Sequence, residues 1–78
     1  MKNIVTGGAG FIGSNLIHRL IEMGEEIICI DNLQTSTVSN INKFKNSNLF
    51  EFIKHNVQVP INIKADRIWH LACLEVNL

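Results

Sequence analysis

Two rhythms of apolar residues alternate along this chain: short unbroken runs, and positions repeating every three or four residues. Ile4-Val5 centres a run over Lys2–Thr6 that reads as a strand. Ile12, Leu16 and Leu20, with Ile17 and Ile21, then recur at helical spacing, which predicts a helix over residues 11–23. Ser14, Asn15, His18, Arg19 and Glu22 make up its expected wet face, and Gly24 is its expected stop. The run Ile27-Ile28-Cys29-Ile30 predicts a second strand over Glu26–Asp31. Its lack of alternation suits a strand covered on both faces of a parallel sheet.

Beyond Asp31 the pattern weakens. Residues 32–37 read as a polar loop, and residues 38–45 as a short helix capped by Thr37 or Ser39. Residues 49–55 predict a third strand in which Phe50 and Phe52 alternate. Residues 57–64 predict a connection that Pro60 keeps from being a regular helix. Residues 67–72 predict a fourth strand, with Trp69 on a sheet face. No internal repeat, low-complexity tract or second domain is visible.

Between the first strand and the first helix stands Thr6-Gly7-Gly8-Ala9-Gly10-Phe11-Ile12-Gly13. A G-x-G-x-x-G spacing is weak evidence alone. Here it follows a strand and opens a helix, and Asp31 closes the next strand 18 residues beyond Gly13. That context is the one a dinucleotide fingerprint requires. Unpaired N–H groups in the first helical turn suit a pyrophosphate. Glycine permits a tight turn, an open approach for phosphate oxygens and close packing of helix on strand. A carboxylate at the end of the second strand favours NAD over NADP, whose 2′-phosphate it repels.

Strand–helix–strand alternation with short connections implies right-handed crossovers. The fold class expected is therefore α/β: the N-terminal half of a doubly wound Rossmann fold, truncated, with a four-stranded parallel sheet ordered 3-2-1-4. Residues 1–78 are expected to be one partial NAD-binding domain without a substrate domain. The fourth strand, through Ile68-Trp69-His70-Leu71-Ala72, is then an apolar edge, and a homodimer through it is an expected partner arrangement.

Composition narrows the alternatives. Seven basic residues balance seven acidic ones, which argues against nucleic-acid or anionic-membrane partners. No apolar run approaches the ~20 residues of a membrane span, and the N-terminus lacks the pattern of a signal peptide. The chain is expected to be cytoplasmic. Cys29 and Cys73 are expected to be free thiols two strands apart, about 9–10 Å by sheet spacing, beyond disulfide reach. His18 is expected on the surface, His55 and His70 in ordinary packing or hydrogen bonding, and no metal site is expected.

With these residues in place, the chain resembles the extended short-chain dehydrogenase/reductase family, the NAD-dependent epimerases and dehydratases. Within it the chain is most similar to the N-terminal part of the UDP-glucuronate decarboxylases. The resemblance rests on Thr6 to Gly13, on Asp31-Asn32-Leu33 with Thr35, on Phe50 to Val57 leading to Pro60, and on Asp66 to Cys73. It implies an NAD-dependent enzyme that oxidises a sugar nucleotide transiently at C4, loses CO2 and returns the hydride. It also implies the roles that follow. Gly7, Gly10 and Gly13, with the N–H groups of Phe11 and Ile12, hold the pyrophosphate. Asp31 accepts both adenosine ribose hydroxyls, and Asn32 and Thr35 add loop contacts. Asn56 and Val57 meet the adenine, while Leu71, Ala72 and Cys73 line the ribose and nicotinamide side.

Several positions depart from the family pattern. Asn56 stands where the family usually has Asp. Ser36-Thr37-Val38 replaces a glycine and a basic pair, which removes a cation near the phosphates and lowers the cofactor affinity expected. Residues 74–78 do not follow the family's active-site loop. The family's general base, the tyrosine of a Tyr-x-x-x-Lys pair, has no counterpart, because the sequence contains no tyrosine. No residue of this chain is therefore expected to be catalytic, and a UDP-sugar is a partner only if a C-terminal part is supplied. The alternatives are a UDP-glucose 4-epimerase-like or dehydratase-like enzyme, a non-catalytic nucleotide-binding or interaction module, and a decayed fragment.

Overall fold

The computed structural model describes residues 1–33, 38–55 and 63–71. Strand β1 (Lys2–Thr6) leads into helix α1 (Phe11–Glu22), which returns to β2 (Glu26–Asp31). Two single 3-10 turns, Val38–Asn40 and Asn42–Phe44, precede β3 (Phe50–Lys54), and β4 (Arg67–His70) follows. The four strands form one parallel sheet in the order β3-β2-β1-β4. This is the N-terminal half of a doubly wound α/β fold, with β1 and β4 flanking the point where strand order reverses.

Register follows the apolar pattern. Ile4 lies opposite Ile28 and Val5 opposite Cys29, while Cys29 lies opposite Phe52. One face carries Val5, Ile27 and Cys29 against Ile17 and Leu20 of α1, with Ile41 and Phe44 completing that core. The opposite face carries Ile4, Ile28 and Ile30, against which Ile53, Ile63 and Ala65 pack. Both faces of β2 are thus covered, the reason its apolar run is unbroken.

The helix is one residue shorter than its periodicity suggests. Met23 is its C-cap, and Gly24 adopts a φ of +78°. Gly24 N–H donates to the Ile21 carbonyl (2.9 Å) and Glu25 N–H to the Leu20 carbonyl (3.0 Å). These two bonds are a Schellman closure, and glycine takes its left-handed position without strain.

Two residues of α1 lie on the side opposite to expectation. Ser14 is buried, not wet, and its hydroxyl donates to the Phe11 carbonyl (3.0 Å). Ile12 is 61% exposed although it belongs to the apolar spacing. The cause is the line Gly13, Ser14, Ile17 and Leu20, along which α1 meets the sheet. A close approach needs small residues at its tightest end, so that line, not the one starting at Ile12, faces inward.

The helix expected over residues 38–45 is instead the two 3-10 turns, which still deliver Ile41 and Phe44 to the core. Backbone pairing of the third strand extends one residue beyond β3 at each end, to the limits its sequence predicts. Ile27 N–H donates to the Leu49 carbonyl and His55 N–H to the Asp31 carbonyl. The fourth strand runs to His70, with Leu71 N–H still bonded to the Thr6 carbonyl (3.0 Å). Ala72, Cys73 and most of the connection containing Pro60 lie outside the described residues.

Cys29 is a buried free thiol. Burial, reinforced by the charge of Asp31, pushes it up from 9.0 to about 12, against a smaller opposing bond from the Gly8 backbone. The folded chain therefore keeps its proton at a pH where the unfolded chain has lost it. Stability should be unaffected below about pH 9 and fall above it, by about 1.4 kcal/mol per pH unit at most. Urea midpoints measured across alkaline pH should show this slope in the parent chain and lose it in Cys29→Ala. A slope that survives the substitution would contradict the assignment.

Candidate functional site

The carboxyl ends of β1, β2 and β4 meet at the glycine turn. Gly7 takes a φ of +73°, the left-handed region that a side chain disfavours. Its N–H still donates to the Ile30 carbonyl (2.8 Å), so the turn begins while β1 is tied to β2. Gly10 N–H closes the turn on the Gly7 carbonyl (3.2 Å), and Gly10 is the N-cap of α1 without a side chain to cap it.

Ser14 N–H is the first to find a helical acceptor, the Gly10 carbonyl (2.9 Å). Among the described residues, the N–H groups of Phe11, Ile12 and Gly13 donate to no protein acceptor. The first turn also holds no acidic residue. Three unpaired amides at the positive end of a helix dipole make an anion-binding surface. The Phe11 side chain, 80% exposed, stands outside the turn.

The helix can begin here only because two glycines lack side chains. A Cβ on Gly13 would lie 2.6 Å from both the Gly7 carbonyl oxygen and the Gly8 Cα. A Cβ on Gly8 would lie 2.5 Å from Cys29 Sγ and 2.9 Å from Ile17 Cδ1. The first contact is with backbone, which cannot yield without moving the turn.

Asp31 closes β2 beside this turn and is only 5% exposed. Its Oδ2 accepts from Ala9 N–H (3.0 Å) and its Oδ1 from Leu33 N–H (2.8 Å). The second bond is a local Asx turn, and it accompanies a φ of +62° at Leu33. The carboxylate thus braces the glycine turn as well as standing next to it.

Of the residues singled out from the sequence, Gly7, Gly10, Phe11, Ile12, Gly13, Asp31 and Asn32 are gathered at this end of the sheet. Leu71 joins them at the end of β4, half-buried and bonded to Thr6. Thr35, Asn56, Val57, Ala72 and Cys73 lie outside the described residues. Two contributors were missed. Gly8 carries a steric requirement of its own, signalled only by the doubled glycine. Asn40 Nδ2 donates to the Ala9 carbonyl (2.7 Å) from 31 residues away, for which the sequence holds no local signal. Among the described residues, no cluster of three His, Cys, Asp or Glu side chains could hold a metal ion. Among them, no helix is long and apolar enough to cross a membrane.

Comparison with known proteins agrees with this geometry. A profile of the NAD dependent epimerase/dehydratase family matches residues 3–74. UDP-glucuronic acid decarboxylase 1 of Arabidopsis thaliana is 45% identical over 73 residues, which are 94% of this chain and 17% of that protein. A crystal structure of a UDP-galactose 4-epimerase superposes with a TM-score of 0.77 at 34% identity, covering 91% of this chain and 23% of that one. The dTDP-glucose 4,6-dehydratase of Bacillus anthracis, solved in complex with NAD, gives a TM-score of 0.70 at 34% identity over 74% of this chain and 20% of its own. The chain spans between 16% and 22% of the length of the Arabidopsis decarboxylases it matches.

Gly13→Ala should destabilise the chain by about 1–3 kcal/mol, the usual cost of overpacking, and shift the amide resonances of Gly7 and Gly8. Urea denaturation and NMR of the variant check this. A stability within about 0.5 kcal/mol of the parent would show that the turn has room that the structure does not.

Proposed function

The chain belongs to the NAD-dependent epimerase/dehydratase family, and from that premise we propose that it is the part of an NAD-binding domain that grips the adenosine diphosphate half of the cofactor. The whole domain would serve a sugar-nucleotide-modifying enzyme akin to the UDP-glucuronate decarboxylases. NAD is the cofactor of this family, and a neighbouring fold has been solved with it bound. The observation that carries the reading is the set of unpartnered N–H groups of Phe11, Ile12 and Gly13, held on the same turn that Asp31 braces at 3.0 Å.

The roles follow from the chemistry of each group. The three amides supply donors for pyrophosphate oxygens, and the glycines let those oxygens approach. Asp31 supplies an acceptor for ribose hydroxyls and a negative charge that disfavours a 2′-phosphate. Asn32 with Thr35, Asn56 with Val57, and Leu71 with Ala72 and Cys73 complete the reading as loop, adenine-side and nicotinamide-side contacts. NAD, where bound, supplies a hydride acceptor that later returns the hydride. This chain's contribution is to hold and orient it.

The sugar chemistry is assigned to residues beyond these 78. The sequence has no tyrosine to act as general base, and UDP-sugar is accordingly a partner of the larger enzyme, which we place in the cytoplasm. Incubated with NAD and UDP-glucuronate, the 78-residue chain should release no CO2. Measurable decarboxylation would move the catalytic machinery into this segment.

A second reading, an interaction module without catalysis, draws on the edge position of β4 and on Ile68, which is 55% exposed there. A second copy pairing through β4 would give a dimer in sedimentation velocity. A monomer at all concentrations counts against it.

The binding reading is tested by thermal melts with millimolar NAD and NADP. A ligand at a hundredfold excess over its Kd stabilises the native state by about 2.7 kcal/mol, roughly 10–20 °C in Tm for a chain this size. NAD should raise Tm, and NADP should raise it less. No shift with either, or a larger shift with NADP, would overturn the reading.

A further inference from the structure

At the end of the sheet remote from the glycine turn, a set of polar side chains joins three separate segments. Asn3 of β1 is fully buried. Its Oδ1 accepts from the Trp69 indole N–H (3.1 Å), and its Nδ2 donates to Glu25 Oε1 (2.9 Å) and to the Glu26 carbonyl (3.1 Å). The same Glu25 oxygen accepts from the Arg67 guanidinium, which also lies over the Trp69 ring, 5.7 Å from its centroid. The ring of contacts is closed: β1 to the α1–β2 junction, the junction to β4, and β4 back to β1.

An asparagine in the centre of a sheet is costly unless every polar atom is paired, and its Oδ1 has its partner, the Trp69 indole N–H, only when β4 is seated. The guanidinium is only partly paired, through one terminal nitrogen to Glu25. Among the described residues, Arg67 Nε is the buried side-chain nitrogen or oxygen left without a hydrogen bond. The arrangement holds β4 by side chains at one end, where backbone pairing with β1 spans only four residues.

We propose that Asn3, Glu25, Arg67 and Trp69 form a charge-dependent latch that seats β4 on β1, so that protonating Glu25 releases β4 while β1, β2 and β3 stay paired. The carboxylate is the hub because it alone accepts from both Asn3 and Arg67. Protonation removes its charge and weakens both bonds, leaving the Arg67 guanidinium without a charged acceptor and the Asn3 amide with the Glu26 carbonyl as its remaining strong one. No such demand falls on the pairing of β2 with β3, which rests on backbone register and apolar side chains.

The hydrogen bond from Asn3 and then the Arg67 guanidinium hold the Glu25 carboxyl below its ordinary value of 4.5, against some desolvation, with a further contribution from the Met1 amino group. A group held low when folded contributes stability that is complete above its unfolded value and is lost as pH falls through the folded one. The latch should therefore open in acid, below about pH 4.5. Other charges nearby are Glu26, next in sequence, and Asp66, whose Oδ2 accepts from Lys2 N–H (2.8 Å) at the start of β4. The charged side chains of α1 are exposed on its outer side, where His18 pairs with Glu22. Asp31 lies at the opposite end of β2 and braces the glycine turn instead.

Trp69 is the only tryptophan, and there is no tyrosine, so intrinsic fluorescence reports on β4 alone. On acidification the parent chain should show a red shift of Trp69 emission while far-UV circular dichroism is retained. Asp66→Asn should keep that acid step. Glu25→Gln should show part of the red shift already at neutral pH and lack the step. Amide exchange gives a test that needs no variant. In acid, Asp66 and Leu71, whose N–H groups bond to β1, should lose several-fold in protection relative to Ile27 and His55, which join β2 and β3. The proposal is overturned if emission stays constant, if the step persists in Glu25→Gln, or if dichroism and emission collapse together.

Discussion

The contact on which the rest of this structure depends is the one between helix α1 and the turn before it. Gly13 lies so close to the Gly7 carbonyl and the Gly8 backbone that not even a methyl group fits. That approach sets where the first helical turn sits and which N–H groups are left over. Behind it, Gly8 lies against Cys29 and Ile17, so the turn is pressed onto the core rather than projecting from it. Asp31 and Asn40 then fix Ala9 from either side, one accepting from its N–H and the other donating to its carbonyl. A flexible glycine loop would lose much of its binding free energy in ordering itself. This one is ordered by its own scaffold.

The two ends of the sheet do different work. At the carboxyl end, backbone donors and one carboxylate are gathered at the point where strand order reverses, the usual place for a ligand in open α/β sheets. At the amino end, Asn3, Glu25, Arg67 and Trp69 hold β4 against β1. The four strands between them are short, so the position of Leu71 beside Thr6 depends on how β4 is seated at its far end. A polar network at the amino end is thereby connected to the carboxyl end through a single strand.

Much of this was legible in the sequence, and the reason is local. The first and second strands carry unbroken apolar runs, the glycines sit between a strand and a periodic helix, and Asp31 ends the second run. Each of those signals acts over a few residues. What escaped depends on contacts far apart in sequence. The burial of Ser14 and exposure of Ile12 follow from the tight approach at Gly13, which a count of apolar spacing does not contain. Residues 38–45 have poor helix formers and are shaped by where Ile41 and Phe44 must go, hence two 3-10 turns in place of a helix. Asn40 and Asn3 act on partners that only the fold brings near. At the candidate site, the turn and Asp31 could be found from spacing, whereas the bond by which Asp31 holds Ala9 N–H could not.

The central claim is that the amides of Phe11, Ile12 and Gly13 hold a dinucleotide pyrophosphate. An NMR titration of the chain with NAD, following backbone N–H resonances, tests it most directly. Those three resonances should move most, with Ala9 and Leu33 beside Asp31 moving less, and the amino-end residues Asn3 and Glu26 standing still. Resonances at the turn that do not move, or a largest change at the amino end of the sheet, would contradict it.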